Sequence, residues 1–321
     1  MAIKIHNLAV SGRLVLNLHS LNNEGTEGNQ TLTRMVTVYI PDESTGVLES
    51  VNAVSGDMFK HIFAEHLRKE ALKEGLPLSE GAKVGSANRF NEDFVRLPER
   101  QRDDMTNEGI IDTLIQSCTV SDVCGLLVTE GKKSAPRKSV VEFGWVVGIP
   151  QQVRTESYFH VKYDPKRGEG SGQETVGQAI FHRPASSGAY ATVLQMELGR
   201  IGVNDLSQKL VIDEADRKKR AKAALAALLH TYVHPQGAHR NTQNPHVTAF
   251  SGIVAWSGCT VPAPAMSALQ PNYEDQVDAI KTSLNQVHGD RTIQTRRFAS
   301  LADFTQILVD LIREIDAPDA P

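Results

Sequence analysis

The chain has 321 residues, a formal net charge of −4 at pH 7 and 40% hydrophobic residues. This length can bury a sizeable core in one elaborated domain or two modest ones, and the charge excludes a uniformly basic protein. No apolar run reaches about 18 residues, the length of a membrane-spanning helix, and the N-terminus lacks the basic and then apolar order of a signal peptide. We therefore expect a globular, cytoplasmic protein without a membrane partner.

The N-terminal region predicts strands. Leu14, Leu16 and Leu18 alternate with more polar residues from Arg13 to His19, as in a strand with one buried face. A similar pattern runs over residues 31–40 and stops at Pro41. These two segments are therefore predicted to be strands near the start of the fold.

A small-residue turn, Ser55-Gly56-Asp57, opens a predicted helix over residues 57–74. Phe59, Ile62, Phe63 and Leu67 share one face of that helix, which indicates core packing. Lys60 lies in the first turn, where free N–H groups and the helix dipole also favour an anion such as a phosphate. The same turn is also typical of an ordinary helix start capped by its serine or aspartate.

The middle of the chain predicts an insertion followed by strands. Residues 76–117 are mostly polar until a short apolar helix near Ile110 to Ile115, which is typical of an inserted subdomain or a binding loop. Residues 118–149 are predicted to form strands joined by a lysine-rich turn at 131–138.

Residues 150–183 predict a protruding hairpin. Aromatic and β-branched segments flank a glycine-rich turn at 164–172, and the alternative is an ordinary mobile surface loop. The region from 131 to 183 is locally basic, so the overall negative charge does not exclude a polyanionic ligand. Its cations include Lys132, Lys133, Arg137, Lys138, Arg154, Lys162, Lys166, Arg167 and Arg183.

The C-terminal part predicts two amphipathic helices. One runs over residues 217–233 with Asp213 near its start, and the other begins at Ser300 and Asp303 in an arrangement like a capping box. The polar residues 316–321 are predicted to be a disordered tail.

The sequence contains eight distinctive blocks: Ser11–Asn17, Leu21–Gly25, Val51–His61, Phe181–Arg183, Ser187–Tyr190, Leu198–Gly202, Gly237–Arg240 and Pro245–His246. Together these blocks resemble the CRISPR-associated DevR-like autoregulator family, whose members form the repeated backbone subunit of type I Cascade. Their order and spacing are specific as a set, and they extend over residues 1 to about 260.

The resemblance implies an α+β fold: an RNA-recognition-motif-like (ferredoxin-like) palm with inserted helical fingers and a protruding β-hairpin thumb. The implied parts are the first part of the palm at 1–75, the helical fingers at 76–117, palm strands with a basic loop at 118–149, the thumb at 150–183, the second part of the palm with the C-terminal helix at 184–315 and the tail at 316–321.

It also implies a non-enzymatic subunit that binds the guide RNA (crRNA), polymerises with copies of itself into a helical filament and meets other Cascade subunits. The guide would pair with target DNA, so the protein would read backbone and shape only. The expected RNA contacts are Arg13, Asn22, Arg34, Asn52, Ser55, Lys60, His61, Arg137, Lys138, Arg154, His160, Lys162, Arg183, His239 and Arg240.

Two other functions stay open. One is a metal-dependent ribonuclease that uses Asp42 or Asp57, as in related backbone subunits, and the other is a transcriptional autoregulator, although nothing resembles a helix-turn-helix. No nucleotide-binding loop or nucleophile elbow is present, so we expect no catalytic residue.

Cysteine and histidine positions predict neither a metal nor a cofactor. The three cysteines match no zinc or disulfide spacing, and the clustered histidines lack partner carboxylates, which favours solvent or RNA contact. These residues are Cys118, Cys124, Cys259, His230, His234, His239 and His246.

Overall fold

The computed structural model describes residues 4–41, 46–163, 178–238 and 241–316. The fold is mixed α/β, with one large, mainly antiparallel sheet and a separate two-stranded sheet. None of the helices in these ranges combines the length and apolar character needed to cross a bilayer.

The strands are β1 (Asn7–His19), β2 (Asn23–Glu27), β3 (Gln30–Thr33), β4 (Met35–Ile40), β5 (Val47–Val54), β6 (Leu126–Glu130), β7 (Lys133–Arg137), β8 (Val141–Phe143), β9 (Val146–Tyr163), β10 (Gln178–Met196), β11 (His246–Ser257) and β12 (Ile293–Phe298). The helices are α1 (Gly56–Lys73), α2 (Glu80–Lys83), α3 (Phe90–Arg96), α4 (Glu99–Asp104), α5 (Asn107–Ser117), α6 (Thr119–Cys124), α7 (Glu214–Val233), α8 (Tyr273–His288) and α9 (Leu301–Glu314).

The main sheet has the order β12-β11-β1-β10-β9-β5-β4, with β1 between β11 and β10. The predicted alternation in β1 is confirmed as far as Leu16, which is buried together with Leu14. It is wrong beyond that point, because a register shift between Leu16 and His19 reverses the inward side. Leu18 has a φ of 54° and is 47% exposed, while His19 is buried. A β-bulge adds a residue to one strand and so exchanges its two faces.

One face of the sheet packs against α1, α7 and α9. Phe59 of α1 lies 6.0 Å from Tyr232 of α7, and Tyr232 stacks on Phe250 of β11 at 4.6 Å between ring centroids. Phe304 of α9 meets Phe250 edge-on at 5.0 Å. Each such fully buried aromatic contributes about 1.5–3 kcal/mol by transfer from water, so this cluster anchors the helical layer.

Side-chain caps set the start of each of these three helices. Ser55, Asp213 and Ser300 accept hydrogen bonds from Met58, Asp216 and Asp303, the backbone N–H groups three residues later. The second reading of the Ser55 turn, an ordinary capped helix start, is therefore present in the structure. A cap is worth about 1 kcal/mol.

The opposite face carries small residues, including Ala9, Ala189 and Ala191, which allow close packing by the segment after β11 and by α8. Tyr273 and Val277 are the buried residues of α8. Ser11 on this face accepts a hydrogen bond from the Met266 backbone N–H at 3.0 Å.

Residues 80–124 form the short helices α2 to α6 beside α1. The strand prediction for 118–149 is wrong at its start, because residues 119–124 are helical and entirely buried. Tertiary contacts override the β-branched composition there, since Asp122 must face inward to meet two arginines. Within the described residues, strands β6 and β7 pair only with each other.

Candidate nucleic-acid interface

The β9–β10 hairpin gathers cations on one face. In an antiparallel pair, directly opposed residues project to the same side, and residues two apart along a strand share that side. Arg154 opposes Ser187, His160 opposes Phe181, and Arg183 opposes Tyr158. One face of the hairpin, which we call the basic face, therefore carries Arg154, Tyr158, His160, Lys162, Phe181 and Arg183. The glycine-rich turn at 164–172 lies outside the described residues.

Aromatic contacts order the outer part of the basic face. His160 stacks on Phe181 with 5.5 Å between ring centroids and an 11° interplanar angle. The Arg183 guanidinium carbon lies 4.7 Å from the centroid of the same ring, and its Nη1 donates to Thr242 Oγ1 at 3.3 Å. Cation–π contact of this kind holds an arginine in place without neutralising it.

Glu156 lies on the same face and reduces its positive charge locally. Its carboxylate binds Arg154 Nε at 2.9 Å and accepts a hydrogen bond from the Tyr158 hydroxyl at 2.8 Å, which raises the pKa of Tyr158. Lys162 makes no hydrogen bond or ion pair within the described ranges. The net charge of the face is thus concentrated at Lys162 and Arg183.

Arg13 extends the basic face onto the centre of the sheet. Its Nη2 donates to the side-chain oxygen of Gln152, which lies two residues before Arg154 and on the same side. Arg13 also shares a strand face with Ser11, whose side chain contacts Met266 on the sheet surface away from α1. Arg13 and Lys60 therefore occupy opposite sides of the sheet, and a single phosphate cannot contact both.

Lys60 and His61 line a cleft between α1 and the helical insertion, with a volume of about 330 Å³. Arg68 in this cleft binds Glu65 at 3.0 Å, and Arg89 donates to the Gly125 carbonyl at 2.9 Å. Lys60 has no hydrogen-bond or ion-pair partner among the described residues. Burial raises the pKa of the Cys124 thiol in the cleft wall, and the charges of Arg89 and Lys60 oppose that rise. Lys60 is thus available in the cleft to bind an anion.

Asn22, Asn52 and Ser55 form a hydrogen-bonded bracket that fixes the chain around Arg34. Asn22 Oδ1 accepts from the Ser55 N–H at 2.8 Å, and Asn52 Nδ2 donates to the Arg34 carbonyl at 3.0 Å. Asn22 and Asn52 are buried. Their expected RNA contacts are corrected accordingly, because both amides are used to hold neighbouring backbone. Ser55 is half-buried, and its hydroxyl oxygen accepts the Met58 N–H hydrogen bond that caps α1.

The bracket continues into a buried polar chain. The Tyr190 hydroxyl donates to Asn52 Oδ1 at 2.9 Å and lies 2.8 Å from His19 Nε2. Since Tyr190 donates its one proton to Asn52, its oxygen accepts the hydrogen bond from His19. The His19 ring therefore carries a hydrogen on Nε2. Burial lowers the pKa of His19 to about 4, so this ring is neutral at pH 7.

The RNA contact expected at Arg137 is also corrected. Arg137 is buried, and its side chain donates to the carboxylates of Asp122 at 2.7 Å and Asp205 at 3.0 Å. It also donates to the backbone carbonyls of Asp122, Val203 and Arg200. All five guanidinium N–H groups thus have partners inside the protein. The neighbouring Lys138 is exposed, and its predicted RNA contact stays a prediction.

The clustered histidines form no metal site in the described part of the chain. His66 of α1 lies 5.7 Å from His230 and 6.3 Å from His234 between ring centroids, and it donates to the His234 carbonyl at 3.0 Å. No group of three or more His, Cys, Asp or Glu residues in the described ranges is placed to hold a metal. Asp57 is exposed at the start of α1, whereas Asp42, His239 and Arg240 lie outside the described residues.

Sequence reasoning missed Trp145, which precedes β9. The Arg34 guanidinium carbon lies 5.6 Å from its ring centroid, and Arg34 also pairs with Glu24. The available signal was compositional, since the chain contains only two tryptophans. Its proximity to Arg34 could not be read from a separation of over a hundred residues.

These features define a class of protein in which helices cover one face of an antiparallel sheet and a projecting hairpin is lined with cations. The chain belongs to the family of CRISPR-associated negative auto-regulators DevR/Csa2, whose family model matches residues 10–279. The family resemblance inferred from the sequence blocks is thereby confirmed.

Curated relatives and solved structures agree with this family. The chain is 28% identical over 247 residues to CRISPR-associated protein Cas7/Csa2 1 of Saccharolobus solfataricus, covering 72% of this chain and 73% of the relative. It is 28% identical over 289 residues to CRISPR-associated protein Cas7/Cst2/DevR of Methanocaldococcus jannaschii, covering 85% and 87%.

The fold is similar to a chain of a CRISPR RNA-guided surveillance complex, with a TM-score of 0.53, 11% identity and coverage of 96% of this chain and 98% of that one. A second such complex, described as pre-nicking, gives a TM-score of 0.51, 11% identity and coverage of 95% and 99%. At this identity the similarity establishes the shared fold.

Proposed function

We propose that this protein is a guide-RNA-binding backbone subunit of a type I CRISPR Cascade complex. It binds crRNA, polymerises along it with copies of itself and other Cascade subunits, and presents the guide for pairing with target DNA. The observation that carries the proposal is the basic face of the β9–β10 hairpin, in a chain whose relatives bear Cas7 names.

The chemistry of the basic face suits a backbone-reading protein. Lys162 and Arg183 can neutralise phosphates, while Tyr158 and the stacked pair of His160 and Phe181 offer flat surface to bases or to a neighbouring subunit. Such contacts are independent of sequence, because sequence is read by base pairing between guide and target. The protein then needs no catalytic residue and no cofactor for this role.

In this proposal the sheet with α1, α7 and α9 is the palm, built like an RNA-recognition motif from residues 1–75, 118–149 and 184–315. The helices in 76–117 are the fingers, and the hairpin at 150–183 is the thumb. Lys60 and His61 grip phosphates in the cleft between palm and fingers, and Arg13 does so on the other side of the sheet.

The test compares cations on and off the basic face. The double variant Lys162→Ala/Arg183→Ala should bind single-stranded RNA of unrelated sequences more weakly. Its plot of log K against log salt should flatten by about 1.4 units, since each lost phosphate contact removes about 0.7 for a single strand. The control is Lys219→Ala, which removes one exposed charge from α7.

The measurement is fluorescence anisotropy of a labelled RNA over a salt series, with the unfolding curve of each variant confirming the fold. An unchanged affinity and slope in the double variant would remove the basic face from the RNA-binding surface. A loss in Lys219→Ala equal to the loss per residue in the double variant would indicate bulk charge instead of a defined contact surface.

A further inference from the structure

Trp145 leaves 41% of its surface exposed in the connection between β8 and β9. The other tryptophan, Trp256, is 2% exposed and lies in the core. Leaving an indole in water forgoes the burial of a large apolar side chain. An exposed tryptophan on a rigid backbone therefore calls for a ligand that covers it.

The backbone around Trp145 is fixed on both sides. The Gly144 N–H donates to the Val193 carbonyl at 2.9 Å, and Val146 pairs with Val54 of β5. The start of α1 packs against the same segment, because a Cβ on Gly56 would lie only 2.4 Å from the Phe143 carbonyl oxygen. Trp145 thus directly follows the segment that packs against the start of α1.

A cation is held beside the indole. The Arg34 guanidinium carbon lies 5.6 Å from the ring centroid. The Arg34 carbonyl accepts from Asn52 Nδ2 and from the Ala53 N–H, each at 3.0 Å, and the Arg34 N–H donates to the Asn22 carbonyl at 3.3 Å. The buried asparagines therefore fix the origin of this arginine next to Trp145, and Glu24 binds its guanidinium.

We propose that Trp145 is a stacking platform for one nucleobase of the bound RNA, with Arg34 placed to contact the adjoining phosphate. The inference rests on the proposed function and adds a specific subsite to it. An indole stacks on any base, because every base has a π-face, and an arginine beside it supplies the charge. Arg34 favours a phosphate-bearing ligand over a protein partner at this position, because its guanidinium can pair with a phosphate as it pairs with Glu24.

The two tryptophans allow a direct optical test. Intrinsic fluorescence of the wild type is titrated with an unstructured RNA and, separately, with a strand of abasic sites that keeps the phosphates and lacks the bases. The tryptophan fluorescence of Trp145→Ala comes from Trp256 alone. Subtracting it from the fluorescence of the wild type gives the emission of Trp145. RNA should quench the Trp145 emission, whereas the abasic strand should not.

Affinity provides the second readout. Trp145→Ala should bind RNA about 5- to 100-fold more weakly, the range expected for loss of one stacked base. Trp145→Tyr, which keeps an aromatic face, should recover most of that loss. Tyr39→Ala is the matched control, since Tyr39 is an aromatic residue on β4 that is 57% exposed. It should bind RNA like the wild type.

Binding of RNA without quenching, and with equal affinity in Trp145→Ala, overturns the platform while leaving the proposed function intact. Loss of self-association in Trp145→Ala, with RNA affinity unchanged, assigns the indole to a protein interface and also overturns it. Absence of RNA binding by the wild type removes the proposed function, and the platform falls with it.

Discussion

Arg137 and Lys138 are adjacent in sequence and were both expected to contact RNA, yet their environments predict opposite results on mutation. We expect Arg137→Ala to destabilise the protein strongly and Lys138→Ala to leave its stability unchanged. The reason is that Arg137 is buried with all of its donors paired, while Lys138 projects into solvent.

The size of the effect follows from the partners of Arg137. Truncation leaves the Asp205 carboxylate and three backbone carbonyls without this donor, although Asp122 keeps Arg220 at 2.7 Å. Removing one member of a buried, hydrogen-bonded ion pair costs about 3–5 kcal/mol, a large share of the about 5–15 kcal/mol that stabilises a typical domain. Substituting an exposed lysine usually changes stability by less than about 0.5 kcal/mol.

The assay is urea unfolding followed by circular dichroism, with RNA affinity measured on the folded protein. Arg137→Lys keeps the charge but loses the planar fork of donors, so it should remain substantially destabilised. If the contact were with RNA, lysine would restore most of the binding. An unfolding free energy of Arg137→Ala within about 1 kcal/mol of wild type, together with weaker RNA binding, would refute the structural role.

Two further predictions concern titration and metal dependence. The pKa of His19 is about 4 in the folded protein and about 6.5 in the unfolded chain, so between these pH values only the unfolded state binds the extra proton. The free energy of unfolding should therefore fall as the pH drops from 6.5 to 4, by on the order of 3 kcal/mol. His19→Gln should flatten that part of the pH–stability curve, and an equal slope in both proteins would assign the dependence to other groups. Asp57 is expected to hold no catalytic metal, so RNA complementary to the guide should stay intact with and without Mg²⁺, whereas Mg²⁺-dependent cleavage that Asp57→Asn abolishes would identify a nuclease.

Periodicity predicted the elements whose packing is regular. The aromatic stripe of Phe59 and Phe63 placed α1, and the capped starts at Asp213 and Ser300 placed α7 and α9. It could not locate the bulge after Leu16, because a register change depends on both neighbouring strands and leaves no mark in the alternation itself. The helix at 119–124 was missed for a similar reason, since its burial is set by partners distant in sequence.

The residues of the candidate site also differ in how far the sequence could predict their environment. Residue type alone makes Arg137 and Lys162 equivalent, but only the first meets carboxylates inside the fold. The shared face of the hairpin cations follows from strand alternation once the pairing of β9 with β10 is known. Asn22 and Asn52 were predicted to contact RNA, but in the structure their side-chain amides hold the backbone near Arg34.

The negative net charge is compatible with a polyanionic ligand because the fold separates its cations by environment. Arg137 and Arg220 form ion pairs with the buried Asp122 carboxylate. Arg297 forms ion pairs with Asp275 and Asp278 at 2.7 Å. Neighbouring carboxylates therefore offset much of the positive charge of these arginines. Lys162 and Lys60 have no such partner in the described ranges, so each can act on a phosphate within about a Debye length, roughly 8 Å at physiological salt. An RNA bound as proposed would therefore meet cations without a carboxylate partner in the described ranges, such as Lys162 on the hairpin and Lys60 in the α1 cleft. Variants that change paired arginines should alter folding before they alter the salt dependence of binding.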